Sequence, residues 1–245
     1  MANASRRVVA IIQARTSSVR LPGKVLRDIG GEPMLMRVVS RVRRAANLDD
    51  VVVATSKRPD DDAVADLANS RGVMCVRGEL EDVVDRFRVA AEAMGADVIV
   101  RITADCPLID SSVIARVIAA FLEGDADYAS NVWPTRTFPR GLDTEVFSRG
   151  ALERSARDAK EPSHREHVTQ YILRGPVAFR TLNVVHAVDY SAHRWTVDTE
   201  QDLELVRRIY SELPTPCGGL EDVLAVLARH PEWLELNRRV EQKLV

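Results

Sequence analysis

Three cations, three hydroxyls and a Pro-Gly pair crowd into Gln13-Ala14-Arg15-Thr16-Ser17-Ser18-Val19-Arg20-Leu21-Pro22-Gly23-Lys24. Arg15 and Arg20 carry planar forks that grip phosphate through two nitrogens, and Lys24 adds a point charge. Thr16, Ser17 and Ser18 supply hydroxyls and backbone N–H groups that cradle anionic oxygens. A nucleoside triphosphate makes use of all three cations. The loop carries neither GxxxxGK[ST] nor GxGxxG, which weighs against a Walker A site and a dinucleotide enzyme. Two acids far apart in sequence, Asp105 and Asp198, each follow an apolar run. Such a pair can converge on one hard cation, and Mg²⁺ needs only one or two carboxylates beside substrate phosphates.

These residues need elements that bring them together. Residues 8–13 form an apolar run rich in β-branched side chains, which predicts a buried strand ending at the cationic loop. Further strands are expected at 51–54, 73–76 and 98–102, with helices from Pro33, from Pro59 to Gly72, over 82–94 and over 111–123. Strand and helix alternate, so the fold class is α/β, an open sheet with parallel strands, crossover helices on both faces and later antiparallel additions. Ligands bind such sheets at the carboxyl ends of the strands, where the cationic loop and Asp105 both fall. The second half is less regular. Strands are expected at 128–132, 144–147, 177–186 and 195–197. A helical stretch over 150–173 should break near Pro162, and a capped helix should run over 200–210. Residues 1–213 read as one α/β domain, with 214–245 as its helical appendage.

The chain has 245 residues, with 34 Lys+Arg against 36 Asp+Glu, a net charge of -2. That balance argues against a nucleic-acid binder, which needs excess positive charge to displace counterions. No apolar run is long enough to span a bilayer. Cys75, Cys106 and Cys217 are widely spaced and suit a reducing cytoplasm better than a disulfide or zinc framework.

Arg15-x-x-Ser18-x-Arg20-Leu21-Pro22-Gly23-Lys24 resembles the signature of cytidylyltransferases that activate acidic sugars, such as the 3-deoxy-manno-octulosonate and acylneuraminate enzymes. The likeness is closest to the spore-coat polysaccharide biosynthesis protein F type. It extends in order through 82–87, 101–110, 141–147, 165–169 and 194–199. The resemblance implies a nucleotide-diphosphosugar transferase fold with a Rossmann-like mixed sheet, working as a homodimer. It also implies transfer of CMP from CTP to an acidic acceptor with Mg²⁺ and release of pyrophosphate. Gln13, Ala14, Arg15, Ser18, Arg20, Lys24, Arg86 and Asp105 would bind the nucleotide, with Arg15, Lys24 and Asp105 catalytic. Asp105 and Asp198 would hold the metal.

On the acceptor side, Asp143 and Glu145 alternate on an expected strand and would share a face. Arg101 and Arg165 would pair with an acidic group, and His167 titrates near neutral pH. Arg136 and Arg140 flank Phe138 in a loop placed to close over substrate. Two other readings stay open. Asp125-Ala126-Asp127 spells the D-x-D of glycosyltransferases, although an ordinary turn explains it as well. A nucleotide-binding protein without catalysis would also carry the loop.

Overall fold

The computed structural model describes residues 6–242. Its sheet has seven strands in the order β5-β4-β1-β6-β8-β7-β9. Beyond β1 (Val8–Gln13), the small pair β2 (Asp28–Ile29) and β3 (Glu32–Pro33) leads into α1 (Met34–Val42). Then follow β4 (Asp50–Ser56), α2 (Asp62–Ser70), β5 (Met74–Gly78), α3 (Val83–Ala93), β6 (Val98–Thr103) and α4 (Ser111–Glu123). The second half comprises β7 (Tyr128–Ser130), β8 (Glu145–Ser148), α5 (Arg149–Asp158), α6 (Pro162–Glu166), α7 (Gln170–Arg174), β9 (Thr181–Asn183), α8 (Glu200–Glu212) and α9 (Leu220–Arg229).

β1 lies between β4 and β6 and pairs in parallel with both. Alternate residues of β1 therefore bury on opposite faces: Val8, Ala10 and Ile12 join one core, Val9 and Ile11 the other. Helices cover both faces, as a near-continuous apolar strand requires. β8 runs antiparallel to β6 and to β7, so the sheet is mixed at that end. A third core lies beyond the sheet, where Trp195, Val197, Leu203 and Val206 bury with Leu220, Val223 and Leu227 of α9.

Four expectations of the second half need correction. The strand expected at 177–186 is only Thr181–Asn183, because its partner β7 is only three residues long. No strand forms at 195–197; a single parallel bridge, Arg140 with Arg194, stands just before it. The helical stretch over 150–173 is three short helices rather than two, with a second break before Gln170. Asp143 lies in the turn before β8 and not on the strand, so it does not share a strand face with Glu145.

Candidate active site

The register of β1 places Gln13 beside Ala54 on one side and Thr103 on the other. The carboxyl ends of three strands thus form one edge, and the chain leaves β1 there as the cationic loop. Ala14 is buried and its N–H donates to the Ala54 carbonyl, so it anchors the loop and exposes no side chain. The loop folds back on itself: Gly23 N–H donates to the Thr16 carbonyl at 3.0 Å. Gly23 has φ of 66°, a left-handed turn that suits glycine after Pro22 and delivers Lys24 inward. Asp61 holds the other side. Its Oδ1 accepts from the Thr16 N–H at 2.7 Å and the Thr16 hydroxyl at 2.8 Å, and its Oδ2 accepts from the Ser56 hydroxyl. Burial raises the Asp61 pKa, but these donors outweigh it and hold the carboxyl below its ordinary range. In sequence Asp61 reads only as a helix-start acid; that it reaches across to the loop is not legible there.

Lys24 does not project toward an open phosphate site. Its ammonium lies 2.8 Å from Asp105 Oδ2, 2.8 Å from Asp198 Oδ1 and 2.8 Å from the Val197 carbonyl. Two backbone features bring the acids together. Val197 N–H donates to the Asp105 carbonyl at 2.8 Å, and the Thr196 hydroxyl donates to the same oxygen at 3.2 Å. Asp198 does not cap α8, as a helix-start acid would; Thr199 does, in a reciprocal box with Asp202. Asp198 faces Lys24 and also Arg20 at 2.9 Å and Arg194 at 2.7 Å.

Burial disfavours the charge on Lys24, yet Asp105 and Asp198 outweigh it and raise its pKa. Burial likewise disfavours the Asp105 carboxylate, and Lys24 overcomes this and lowers its pKa. The signs give a pH window. The Asp105 contribution to stability is present above its unfolded pKa and lost as pH falls through its lower folded value. The Lys24 contribution is present below its unfolded pKa and lost as pH rises through its higher folded value. The gap in urea midpoint between wild type and Lys24→Met should hold steady between about pH 5 and 9 and shrink outside that range. A gap that stays constant into strong acid would contradict this pairing.

The two acidic oxygens are already trained on one cationic point, so the Asp105 and Asp198 pair fits a hard divalent ion once the ammonium moves away. Among the described residues no three His, Cys, Asp or Glu side chains converge. A metal here would therefore take its remaining ligands from phosphate and water.

An open cleft of about 460 Å³ spreads over this edge. Gln13, Arg15, Ser18, Arg20, Lys24, Arg101, Asp105, Asp143, Glu145 and Asp198 all line it. The two acids of the acceptor side are both paired. Arg136 clamps Asp143 through two bonds, at 2.6 and 2.8 Å. Arg101 pairs with Glu145, which lies directly across from it in the β6–β8 ladder. The other Glu145 oxygen accepts from the Tyr128 and Thr169 hydroxyls, each at 2.7 Å. Gly141 supports this wall with φ of 109°, and a Cβ there would meet the backbone of Trp195 and Thr196 at 2.7 Å.

Three expected site residues lie elsewhere. Arg165 is held by Asp82 and the Ala156 carbonyl and does not line the cleft. His167 also stands outside the lining; burial lowers its pKa, and Arg101 and Arg15 lower it further. Its neighbour Glu166 is 4.0 Å from Arg15, which sets α6 at the rim. Arg86 is fully buried against Gly78. One of its nitrogens donates to the Glu79 carbonyl, while Nε and the other terminal nitrogen find no partner among the described residues. Burial, followed by the charge of Arg15, brings its pKa down to about 10. Asp125 and Asp127 both pair with Arg180 at the amino end of β7, the sheet edge opposite Asp105, which favours the ordinary-turn reading. Cys106 is buried and its thiol is pushed well up by burial, which fits a packing role.

Known proteins resemble this chain over nearly its whole length. The sequence profile of the cytidylyltransferase family matches residues 9–239. An uncharacterised protein of Methanocaldococcus jannaschii, MJ1063, is 36% identical over 239 residues, 97% of each chain. The spore coat polysaccharide biosynthesis protein SpsF of Bacillus subtilis is 33% identical over 233 residues, covering 92% of this chain and 95% of its own. The solved structure of a cytidylyltransferase from Leptospira borgpetersenii superimposes with a TM-score of 0.89 at 30% identity, over 98% of this chain and 99% of that one. With the profile spanning nearly the whole chain, and relatives matched end to end, this protein belongs to the cytidylyltransferase family.

Proposed function

We propose that the protein transfers CMP from CTP to a small acidic acceptor, an acidic sugar or a related compound, with release of pyrophosphate. The observation that carries this reading is the convergence, in one cleft, of the Arg15–Lys24 loop with the acid pair Asp105 and Asp198. Arg15 and Arg20 offer guanidinium forks to the triphosphate, and the Lys24 ammonium joins them when it leaves the two acids. An acceptor oxygen attacks the α-phosphorus and the bond to the β-phosphate bridging oxygen breaks. The protein contributes position and charge compensation at the moment the leaving pyrophosphate gains charge. Mg²⁺, held by Asp105 and Asp198, would neutralise the triphosphate oxygens when bound.

On the acceptor side Arg101 and Arg140, rather than Arg165 or His167, are the cations that border the cleft.

A thermal-shift panel of CTP, UTP, ATP, GTP, CMP and intact nucleotide sugars with Mg²⁺ tests the reading. A ligand at 100 times its Kd stabilises by about 2.7 kcal/mol, and CTP is expected to give the largest shift. Stabilisation by a nucleotide sugar and not by CTP would instead indicate a glycosyltransferase of related fold.

A further inference from the structure

The residues after α9 carry no motif, yet Glu241 and Gln242 reach the cleft edge. Trp233, Leu234 and Leu236 pack against the third core, which anchors the segment as far as the buried Asn237. Asn237 Nδ2 donates to the Arg194 carbonyl and to Asp202 Oδ1, each at 2.9 Å. Asp202 is fully buried and its two oxygens receive Arg194 Nε at 2.9 Å and the Asp198 and Thr199 N–H groups at 2.9 and 3.0 Å. Beyond Asn237 the chain turns, with Val240 N–H donating to the Asn237 carbonyl, and runs on toward the phosphate loop. There the Glu241 carbonyl accepts from Arg20 at 3.1 Å, and the Gln242 side-chain carbonyl accepts from Arg194. Gln242 itself lines the cleft.

Resting on the reading of the cleft as a CTP site, we infer that residues 237–242 form a strap, anchored on Arg194, that positions Arg20 for the triphosphate. Arg20 is clamped between Asp198 and the Glu241 carbonyl, whereas Arg194 is held by Asp198, Asp202 and Gln242 and fixes the strap beside it. The strap side of the Arg20 clamp is a neutral oxygen, which orients the guanidinium without cancelling its charge. Such preorganisation lowers the ordering cost of binding an anion. Glu241 and Gln242 are therefore positioning residues. The phosphates that gain from them are those beyond the α-phosphate, because Arg20 belongs to the triphosphate loop.

Two variants test the strap, a stop after Val240 and Gln242→Ala, with CTP and CMP affinities measured by calorimetry in Mg²⁺. The truncated protein is expected to bind CTP about tenfold more weakly, the size of effect that loss of an orienting partner has at charged sites. CMP affinity and Tm should stay at wild-type values, and truncation should cost less in an Arg20→Ala background. A merely structural tail would lower Tm and weaken both nucleotides alike; that result, or an unchanged CTP affinity, overturns the inference. Wild-type protein that fails to bind CTP would overturn the reading of the cleft and the strap with it.

Discussion

Lys24→Ala is expected to lower kcat/KM for CTP turnover by about 10²–10³, the size of effect seen when one preorganised charge is removed from a transition state. The argument rests on where the ammonium sits. It is the only cation among the described residues paired with both Asp105 and Asp198, and it reaches them from the loop proposed to bind the triphosphate. Removing it leaves Asp105 without its cation, so that carboxyl loses the influence that holds its pKa down. It also removes one of the charges available to the triphosphate. Lys24→Arg should recover little. A guanidinium is planar and broad, and it must fit where three oxygens stand 2.8 Å from one nitrogen. Steady-state rates of pyrophosphate release measure this. Activity within a fewfold of wild type would remove Lys24 from the chemistry.

Asp202→Ala carries the largest expected loss of stability, about 3–5 kcal/mol. Asp202 is fully buried, and its carboxylate gathers the Arg194 guanidinium, the Asn237 amide, two backbone N–H groups and the Thr199 hydroxyl. Burial raises its pKa, but Arg194 and Asn237 outweigh this and hold it below the usual carboxylate range. Its removal takes one of two carboxylates from a nearly buried cation and leaves several buried donors unpaired at once, the costly case for a buried ion pair. It also frees Asp198 from one anchor, since the Asp198 N–H loses its acceptor. Urea unfolding should show a lower midpoint with an unchanged slope. A change below about 1 kcal/mol, the usual range for exposed pairs, would contradict the burial argument.

The parallel half of the sheet was legible because local signals agree there. The β-branched run of β1, Asp82 ahead of α3 and Gly95 after it each act through the nearest few residues. The place of Asp105 was also readable, since strand ends in an α/β sheet share one edge; Asp198 follows no strand and reaches that edge through the Val197 N–H bond to the Asp105 carbonyl. What the sequence concealed was contact between distant polar groups. Lys24 reads as a phosphate ligand, and nothing local reveals that the two acids hold it. Asp143 and Glu145 read as open acceptor-binding carboxylates, while Arg136 and Arg101 occupy them. Arg165 reads as an acceptor cation, but Asp82, 83 residues away, takes it. The short strands failed for a different reason. Residues 177–186 have strand composition, but β7 offers only three residues to pair with them, and propensity does not supply a ladder partner.

The most direct test of CMP transfer is phosphorus NMR of CTP and Mg²⁺ with the protein and a panel of acidic sugars. The account predicts acceptor-dependent conversion of CTP to pyrophosphate and a new CMP ester, with little conversion by Lys24→Ala. CTP left intact across the panel, while an intact nucleotide sugar is consumed, would contradict it.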